Sequence, residues 1–286
     1  MGKIANMTDS NSGITQKEGK EQGIFVVPMP FLINDEEYFE DITLNQEEFY
    51  EKLTQNATVS TSQPSIENLT NQWDEILEEY EELIYIPMSS GLSGSCSTAT
   101  MLAQDYDGRV KVVDNQRISV TQRRSVEDAC RMVKEGRSSS EICEKLMQTK
   151  LEASIYIMVD TLKYLRKGGR LTPAVAALGT ILRIKPVLQI QGEKLDTFAK
   201  ARTIKQGTNI MLDAMEKDVA ERFENNLDDL YIDVAHTQNE QGAEELKQEI
   251  EKRYPQVKVR INPLSLSISC HIGPGSLAVA MAKKAK

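Results

Sequence analysis

The chain has 286 residues, of which 40% are hydrophobic and 27% charged, so it can bury a large core in one or two domains. Its net charge of −9 argues against a general affinity for nucleic acid or for an anionic membrane. The sequence contains no apolar run of about 18 residues, and residues 1–6 lack the apolar stretch of a signal peptide. We therefore expect a cytoplasmic protein.

The four cysteines are scattered without the spacing of metal ligands, which favours a reduced compartment and a role as small core residues. They are Cys96, Cys130, Cys143 and Cys270. The sequence thus predicts neither a disulfide framework nor a metal site.

Charge divides the chain into two unlike halves. Residues 1–152 hold 14 Lys and Arg against 27 Asp and Glu, a net charge of −13, whereas residues 153–286 carry +4. We expect two domains with a boundary near Glu152, and we expect an acidic ligand or partner surface to meet the second one.

In the first half, short β-rich runs alternate with helical patterns, which predicts an α/β domain with a doubly wound, mainly parallel sheet. The predicted strands span 3–7, 24–33, 83–87, 110–113 and 154–159, the last of which opens the second domain. The predicted helices span 45–54, 65–80, 93–106, 119–135 and 140–152, several of them after a Ser or Asn cap.

The second half predicts a mixed α/β domain, taken here in chain order. A helical segment spans 161–182, followed by a strand at 186–190 and a turn at 191–193. Further along are helix 205–223, strand 230–236, helix 241–254 and strand 257–263. The end is predicted as two strands, 268–272 and 277–281, around the turn Gly273-Pro274-Gly275.

A loop of small residues, 88–95, follows the strand at 83–87 and precedes a helix. Free backbone N–H groups at a helix N-terminus bind anions readily. Ser93 can act as a cap and as a hydroxyl donor, while Gly91 and Gly94 permit close approach of a ligand. The alternative is a capped turn that holds no ligand.

A second polar cluster, Thr61-Ser62-Gln63-Pro64-Ser65, precedes the helix at 65–80. Loops at the carboxyl ends of neighbouring strands converge on one crevice in a doubly wound sheet, and ligands bind there. The segment Thr8-Asp9-Ser10 opens on the same edge. Taken alone, either segment could simply be a helix cap.

The chain has two histidines. His271 precedes Gly273-Pro274-Gly275 and is a candidate donor to a carboxylate, with a satisfied structural histidine as the alternative. His236, at the end of a predicted strand, is the weaker candidate. Basic residues gather around Arg166 and Arg170 and again at Arg202, where they either form a solvated surface or recognise a phosphate or carboxylate.

Together these segments resemble the DegV family of fatty-acid-binding proteins, which includes the FakB-like subunits of bacterial fatty acid kinase. The likeness covers nearly the whole chain and depends on the order and spacing of several motifs. They are Thr8-Asp9-Ser10, Thr61-Ser62-Gln63-Pro64-Ser65, Ser89–Ser95, Gly168-Gly169-Arg170, Ile184-Lys185-Pro186, Lys200-Ala201-Arg202-Thr203 and His271–Gly275.

The resemblance implies a two-domain α/β protein that holds one long-chain fatty acid in the cleft between its domains. It places Thr61, Ser62, Ser93, the Gly94 N–H and His271 at the carboxylate. It places Arg202 near a future acyl phosphate, and the charge clustering adds Arg166 and Arg170 as residues facing the partner. The protein would be a cytoplasmic carrier and not an enzyme, because a separate FakA-like kinase subunit would supply ATP and the chemistry. The bound fatty acid would be its ligand, with no cofactor and no metal.

One departure from the family concerns the helix after Asn115, which begins with the polar run 119–124. If this helix lines the acyl pocket, we expect Gln122, Arg123 and Arg124 to face outward, or the pocket to be shorter or kinked. The apolar helix at 174–182 is a second candidate for lining the pocket.

Three other functions compete with the carrier. A serine hydrolase would use Ser93 with Asp233 and His271, but Ser95 stands where the nucleophile elbow needs glycine. A kinase is opposed by the lack of a P-loop and of an obvious Mg²⁺-binding acidic cluster. A carrier of another amphipathic carboxylate remains open.

Overall fold

The computed structural model describes residues 2–55, 57–169, 172–176 and 184–286. Its contacts divide the chain into two compact units. The first comprises Met1–Leu151 with the short segments Ser265–Ser267 and Ala285–Lys286, and the second comprises Glu152–Leu264 and Ile268–Lys284. The chain therefore returns to the first unit twice after leaving it.

The first unit contains two sheets. Strands β2, β1, β6 and β7 form, in that order, a sheet in which every pair is parallel, as predicted, and β4, β3 and β5 form a small antiparallel sheet. The strands are β1 (Ile4–Asp9), β2 (Ile24–Val27), β3 (Pro30–Ile33), β4 (Glu36–Phe39), β5 (Val59–Thr61), β6 (Glu82–Ile86) and β7 (Val110–Val112).

Helices cover both faces of the parallel sheet, so its strands are apolar on both sides. Along β6, Leu83 and Tyr85 pack beside Trp73 on one face, while Ile84 and Ile86 pack in a second cluster on the other. The helices are α1 (Gln16–Gln22), α2 (Gln46–Thr54), α3 (Ile66–Glu79), α4 (Ser95–Leu102), α5 (Ser119–Lys134) and α6 (Ser139–Gln148).

The second unit is built on one mixed sheet in the order β10-β9-β8-β13-β11-β12, in which β11 and β12 are parallel and the other pairs antiparallel. Its strands are β8 (Ala153–Met158), β9 (Lys185–Gln191), β10 (Lys194–Ala201), β11 (Leu230–His236), β12 (Arg260–Pro263) and β13 (Leu277–Lys283). Its helices are α7 (Lys163–Lys167), α8 (Pro173–Ala176), α9 (Ile204–Glu221), α10 (Glu240–Arg253) and α11 (Leu266–Ile272), whose first two residues pack with the first unit.

Two strand predictions are wrong. The predicted strand 24–33 is two strands in different sheets, because Pro28 between them has no N–H for a sheet hydrogen bond. The predicted strand 268–272 is part of α11. Its alternating pattern is that of a strand with one solvated face, but residues 264–270 are buried without interruption, so the alternation carries no information there.

Other elements have no counterpart in the prediction or are only partly described. No predicted element corresponds to α1, β4, β5 or β10, although the predicted turn at 191–193 does join β9 to β10. The predicted helix 161–182 is helical at Lys163–Lys167 and Pro173–Ala176. Its remainder from 177, with most of the candidate pocket helix 174–182, lies outside the described residues.

None of the four cysteines forms a disulfide bond, and Cys96 and Cys270 are buried. Burial raises the pKa of the Cys96 thiol to about 12 and those of Cys130 and Cys143 to about 11. Thiols in this state are poor nucleophiles. Across the described ranges, none of the helices is long and apolar enough to cross a membrane.

Candidate functional site

A buried carboxylate, Asp9, ties together the loops at the carboxyl edge of the parallel sheet. It ends β1 and is fully buried. Its oxygens accept hydrogen bonds from the Asn11 N–H at 3.0 Å, the Asn11 side chain at 2.9 Å, the Met88 N–H at 2.8 Å and the Gln122 side chain at 3.0 Å. Burial raises the pKa of Asp9, and these four donors oppose the rise.

Gln122 enters this network from α5 and is itself fully buried. Its Nε2 also donates to Thr8 Oγ1 at 3.0 Å and to the Ile86 carbonyl at 3.2 Å. Gln122, Arg123 and Arg124 do not face solvent, because all six residues of the run 119–124 are buried. Gln122 instead helps to hold the ends of β1 and β6 in place.

The two arginines that follow are buried by ion pairs. Arg123 lies 2.9 Å from Glu18 and 3.2 Å from Glu127, and Arg124 lies 2.8 Å from Glu127. Partial burial tends to raise the pKa of Glu18, but the hydrogen bonds from Arg123 and Thr15 and the positive charge of Arg123 together lower it. These pairs explain how a helix with this polar sequence can pack inside the unit.

The loop after β6 is held in a fixed shape. The Ser89 N–H donates to the Arg117 carbonyl at 2.9 Å, and the Ser90 N–H donates to Asp114 Oδ1 at 3.2 Å. Ser93 Oγ accepts the Ser95 N–H at 3.2 Å and shares a 3.0 Å hydrogen bond with Ser95 Oγ. The predicted capping role of Ser93 is wrong, because the N-cap residue of α4 is Gly94, which has no side chain that could cap this helix.

Within the described chain, the Gly94 N–H, next to Ser93, donates no hydrogen bond. Ser93 is half-buried and Gly94 is exposed. In the same described ranges, no histidine or lysine contacts Ser93 Oγ as the base of a serine hydrolase would.

The loop that begins at Thr61 lies against this one. Thr61 ends β5, paired with Phe31, and is half-buried, whereas Ser62 is exposed. Gln63 Oε1 accepts a hydrogen bond from Thr98 Oγ1 in α4 at 3.1 Å, and it would lie 3.7 Å from a Cβ placed on Gly94. The structure thus brings the loop of Thr61 and Ser62 next to Ser93 and Gly94. Hydroxyls and an N–H in this arrangement are suitable donors to a carboxylate.

The remaining predicted residues belong to the second unit. His271 is half-buried near the end of α11, Arg166 is exposed in α7, and Arg202 is exposed just after β10 with its N–H donating to Gln206 Oε1 at 2.8 Å. Arg170 lies outside the described residues. His236 is buried at the end of β11, where its Nδ1 accepts the Asn239 N–H at 3.2 Å and burial lowers the pKa of its imidazole. This is a structural role.

Sequence reasoning missed Glu40, which follows β4 and is only 6% exposed. Its Oε1 accepts the N–H of Leu266, the first residue of α11, at 2.7 Å. Burial raises the pKa of this carboxyl to about 8. The charge of Asp41 acts in the same direction, while hydrogen bonds from Leu266, Ser10 and Ser267 oppose the rise. No local pattern marks this glutamate as buried, because the acidic residues Glu37 and Asp41 lie on either side of it in the sequence.

The raised pKa of Glu40 predicts a pH-dependent stability. The folded chain holds this proton at pH values where the unfolded chain, with an ordinary pKa of 4.5, has lost it. The protonated Glu40 carboxyl therefore contributes its full stabilisation of the folded chain below about pH 4.5, and this contribution is lost as the pH rises towards 8. We expect the free energy of unfolding to fall by about 2–3 kcal/mol between about pH 6 and pH 8 from this group alone, measured by urea titration.

Glu40→Gln keeps an acceptor for the Leu266 N–H but has no proton to lose, so we expect this variant to lack that part of the pH dependence. Glu37→Gln, on the exposed side of β4, is the matched control and should follow the unchanged protein. Equal pH profiles for Glu40→Gln and the unchanged protein would show that Glu40 is not the titrating group.

Comparison with known proteins identifies the family. The model of a family described as "uncharacterised protein, DegV family" matches residues 3–284. The DegV protein of Bacillus subtilis is 30% identical over 279 residues, which cover 96% of this chain and 98% of that protein. A protein of Staphylococcus aureus described as containing a DegV domain is 29% identical over 278 residues, 97% of this chain and 98% of that one.

Two solved structures agree over almost the full length. A DegV family protein of Thermus thermophilus, described by its fatty acid binding, superposes with a TM-score of 0.90 at 28% identity, over 98% of this chain and 99% of that one. The Bacillus subtilis DegV structure, described as that of a fatty acid binding protein, gives a TM-score of 0.88 at 28% identity, over 99% of this chain and 100% of that one. The sequence motifs, the fold and these full-length matches agree, and the chain belongs to the DegV family.

Proposed function

We propose that this protein binds one long-chain fatty acid and presents its carboxylate to an ATP-dependent fatty acid kinase subunit, which forms the acyl phosphate. The observation that carries the binding role is the full-length structural match to DegV proteins described as fatty acid binding. The adjacent loops that contain Thr61, Ser62, Ser93 and Gly94 supply donors of the right chemistry. The proposal assigns His271 as a further donor, on the strength of the His271–Gly275 motif.

The energetics favour a lipid with a long chain. Burying 16 to 18 carbons at about 0.8 kcal/mol per methylene yields roughly 12 kcal/mol before ordering costs are subtracted. The carboxylate is the expensive part of the ligand, because a charge removed from water needs several hydrogen bonds. Two hydroxyls, a backbone N–H and an imidazole would meet that need.

The division of labour with a kinase is the finer part of the proposal. The sequence contains no P-loop for ATP. The Ser93 hydroxyl is hydrogen bonded to Ser95 and not to a general base. A protein of this kind can hold a substrate but does not activate it. We propose Arg202 and Arg166, both exposed, together with Arg170, as residues that face the kinase or the acyl phosphate.

The first experiment identifies the ligand. We expect denaturing mass spectrometry of the protein purified from a bacterial host to release about one long-chain fatty acid per chain, because a buried acyl chain dissociates slowly. The same preparation after delipidation should rebind palmitate or oleate at one site. Purified protein that releases no lipid and binds neither acid would refute the carrier function.

The second prediction concerns the carboxylate donors. Ser93→Ala and Thr61→Ala each remove a hydroxyl, and we expect each to weaken fatty acid binding by about 1–3 kcal/mol, measured by displacement of a fluorescent fatty acid. Ser97→Ala, on the exposed side of α4, is the matched control and should bind normally. Normal affinity in both loop variants would show that the carboxylate lies elsewhere.

The third prediction separates lipid binding from partner recognition. Arg202→Ala and Arg166→Ala should retain bound fatty acid but lower the rate of acyl phosphate formation by the kinase subunit by about tenfold, since each removes a surface cation. Lys194→Ala, at the other end of β10, is an exposed control of the same charge. If the arginine variants and the control have equal rates, these arginines take no part in docking.

A further inference from the structure

Gly168 lies directly under the imidazole of His271. A Cβ built on Gly168 would stand 2.0 Å from His271 Nδ1 and 2.7 Å from its Cε1. Both distances are far shorter than a van der Waals contact between two heavy atoms. The imidazole therefore packs on the backbone of the loop after α7, in space that any other residue would fill.

The backbone conformation gives no other reason for glycine at this position. Gly168 is the C-cap of α7 with φ −80° and ψ 0°, which any residue adopts easily. The next residue provides the contrast. Gly169 has φ +68°, the left-handed region that favours glycine, but a Cβ there would meet no atom within 4 Å. Gly169 is thus explained by the turn and Gly168 by the histidine.

A second contact joins the segment of Tyr164 and Gly168 to the segment of His271 and Gly273, with the roles of ring and glycine reversed. A Cβ on Gly273, two residues after His271, would stand 2.2 Å from Cδ2 of Tyr164 in α7. Each segment therefore provides one glycine and one ring, and each ring packs on the other segment's glycine. Packing between the two segments therefore holds one side of the His271 imidazole, independently of its hydrogen bonds.

We propose that Gly168 is a positioning residue, which fixes the orientation of the His271 imidazole for the carboxylate of the bound lipid. The inference rests on the proposed function for the ligand, while the contact itself can be tested without any lipid. With Ala at position 168, the imidazole must rotate away or the loop must shift, since a side chain in a close-packed site has few alternative rotamers.

The two histidines make the contact directly observable. In delipidated protein, the Cε1–H resonances of His271 and His236 are assigned by NMR from the loss of one signal in His271→Ala. We expect Gly168→Ala to change the chemical shift and the titration midpoint of His271 and to leave His236 unaltered. The unaltered His236 signal also shows that the variant is folded. Gly169→Ala, the matched control, strains the same loop without reaching the imidazole, and should leave both signals unchanged.

Lipid binding then tests the consequence. We expect Gly168→Ala and His271→Ala each to weaken palmitate binding by about tenfold, and the double variant to bind no more weakly than His271→Ala alone. An unchanged His271 resonance in Gly168→Ala, or losses of affinity that add in the double variant, would overturn the inference. Normal palmitate binding by His271→Ala would show that His271 does not bind the carboxylate, and would overturn the part of the inference that concerns the ligand. A fatty acid that still co-purifies with the protein would leave the carrier function standing.

Discussion

The loops at the carboxyl edge of the parallel sheet depend on the buried negative charge of Asp9. A carboxylate removed from water is destabilising by several kcal/mol unless donors surround it, and the donors to Asp9 come from three separate parts of the chain. They are the turn after β1, the loop after β6, and α5. Satisfying Asp9 therefore fixes the end of β1, the start of the loop that contains Ser93, and the register of α5 at once. The donors at the candidate site are presented on this rigid edge.

Glu40 shows the other way in which a fold accommodates a buried carboxyl. Burial is the largest influence on the pKa of both carboxyls: it raises the pKa of Asp9 against four hydrogen bonds, and it raises the pKa of Glu40 to about 8. Near neutral pH the Glu40 carboxyl therefore keeps its proton, and it still accepts the first N–H of α11. The first carboxylate organises loops through its charge, and the second joins a helix to the first unit largely without charge.

Several polar groups that could take part in catalysis are held by structural hydrogen bonds, in the first unit and in the second. Ser93 is hydrogen bonded to Ser95. The oxygens of Asp9 accept hydrogen bonds that fix the backbone, and His236 accepts a backbone N–H. Each of these groups would need a different setting to act as nucleophile, base or acid. The loops at 61–65 and 88–95 contain hydroxyl and N–H donors, which is the chemistry that the proposed carrier function needs.

The sequence alone predicts the alternation of strands and helices, the parallel sheet, the capped loop at 61–65 and, through the order of its motifs, the family. These features depend on local caps, turns and periodic burial, which short segments specify. Four features depend on tertiary packing: α11 is a helix, Gln122 is buried against Asp9, Glu40 lies in the interior, and Gly168 makes room for His271. In each case the partner is distant in sequence: residues 264–270 are buried on all sides, so their alternation predicts nothing, and Gly168 is explained by an imidazole about a hundred residues away.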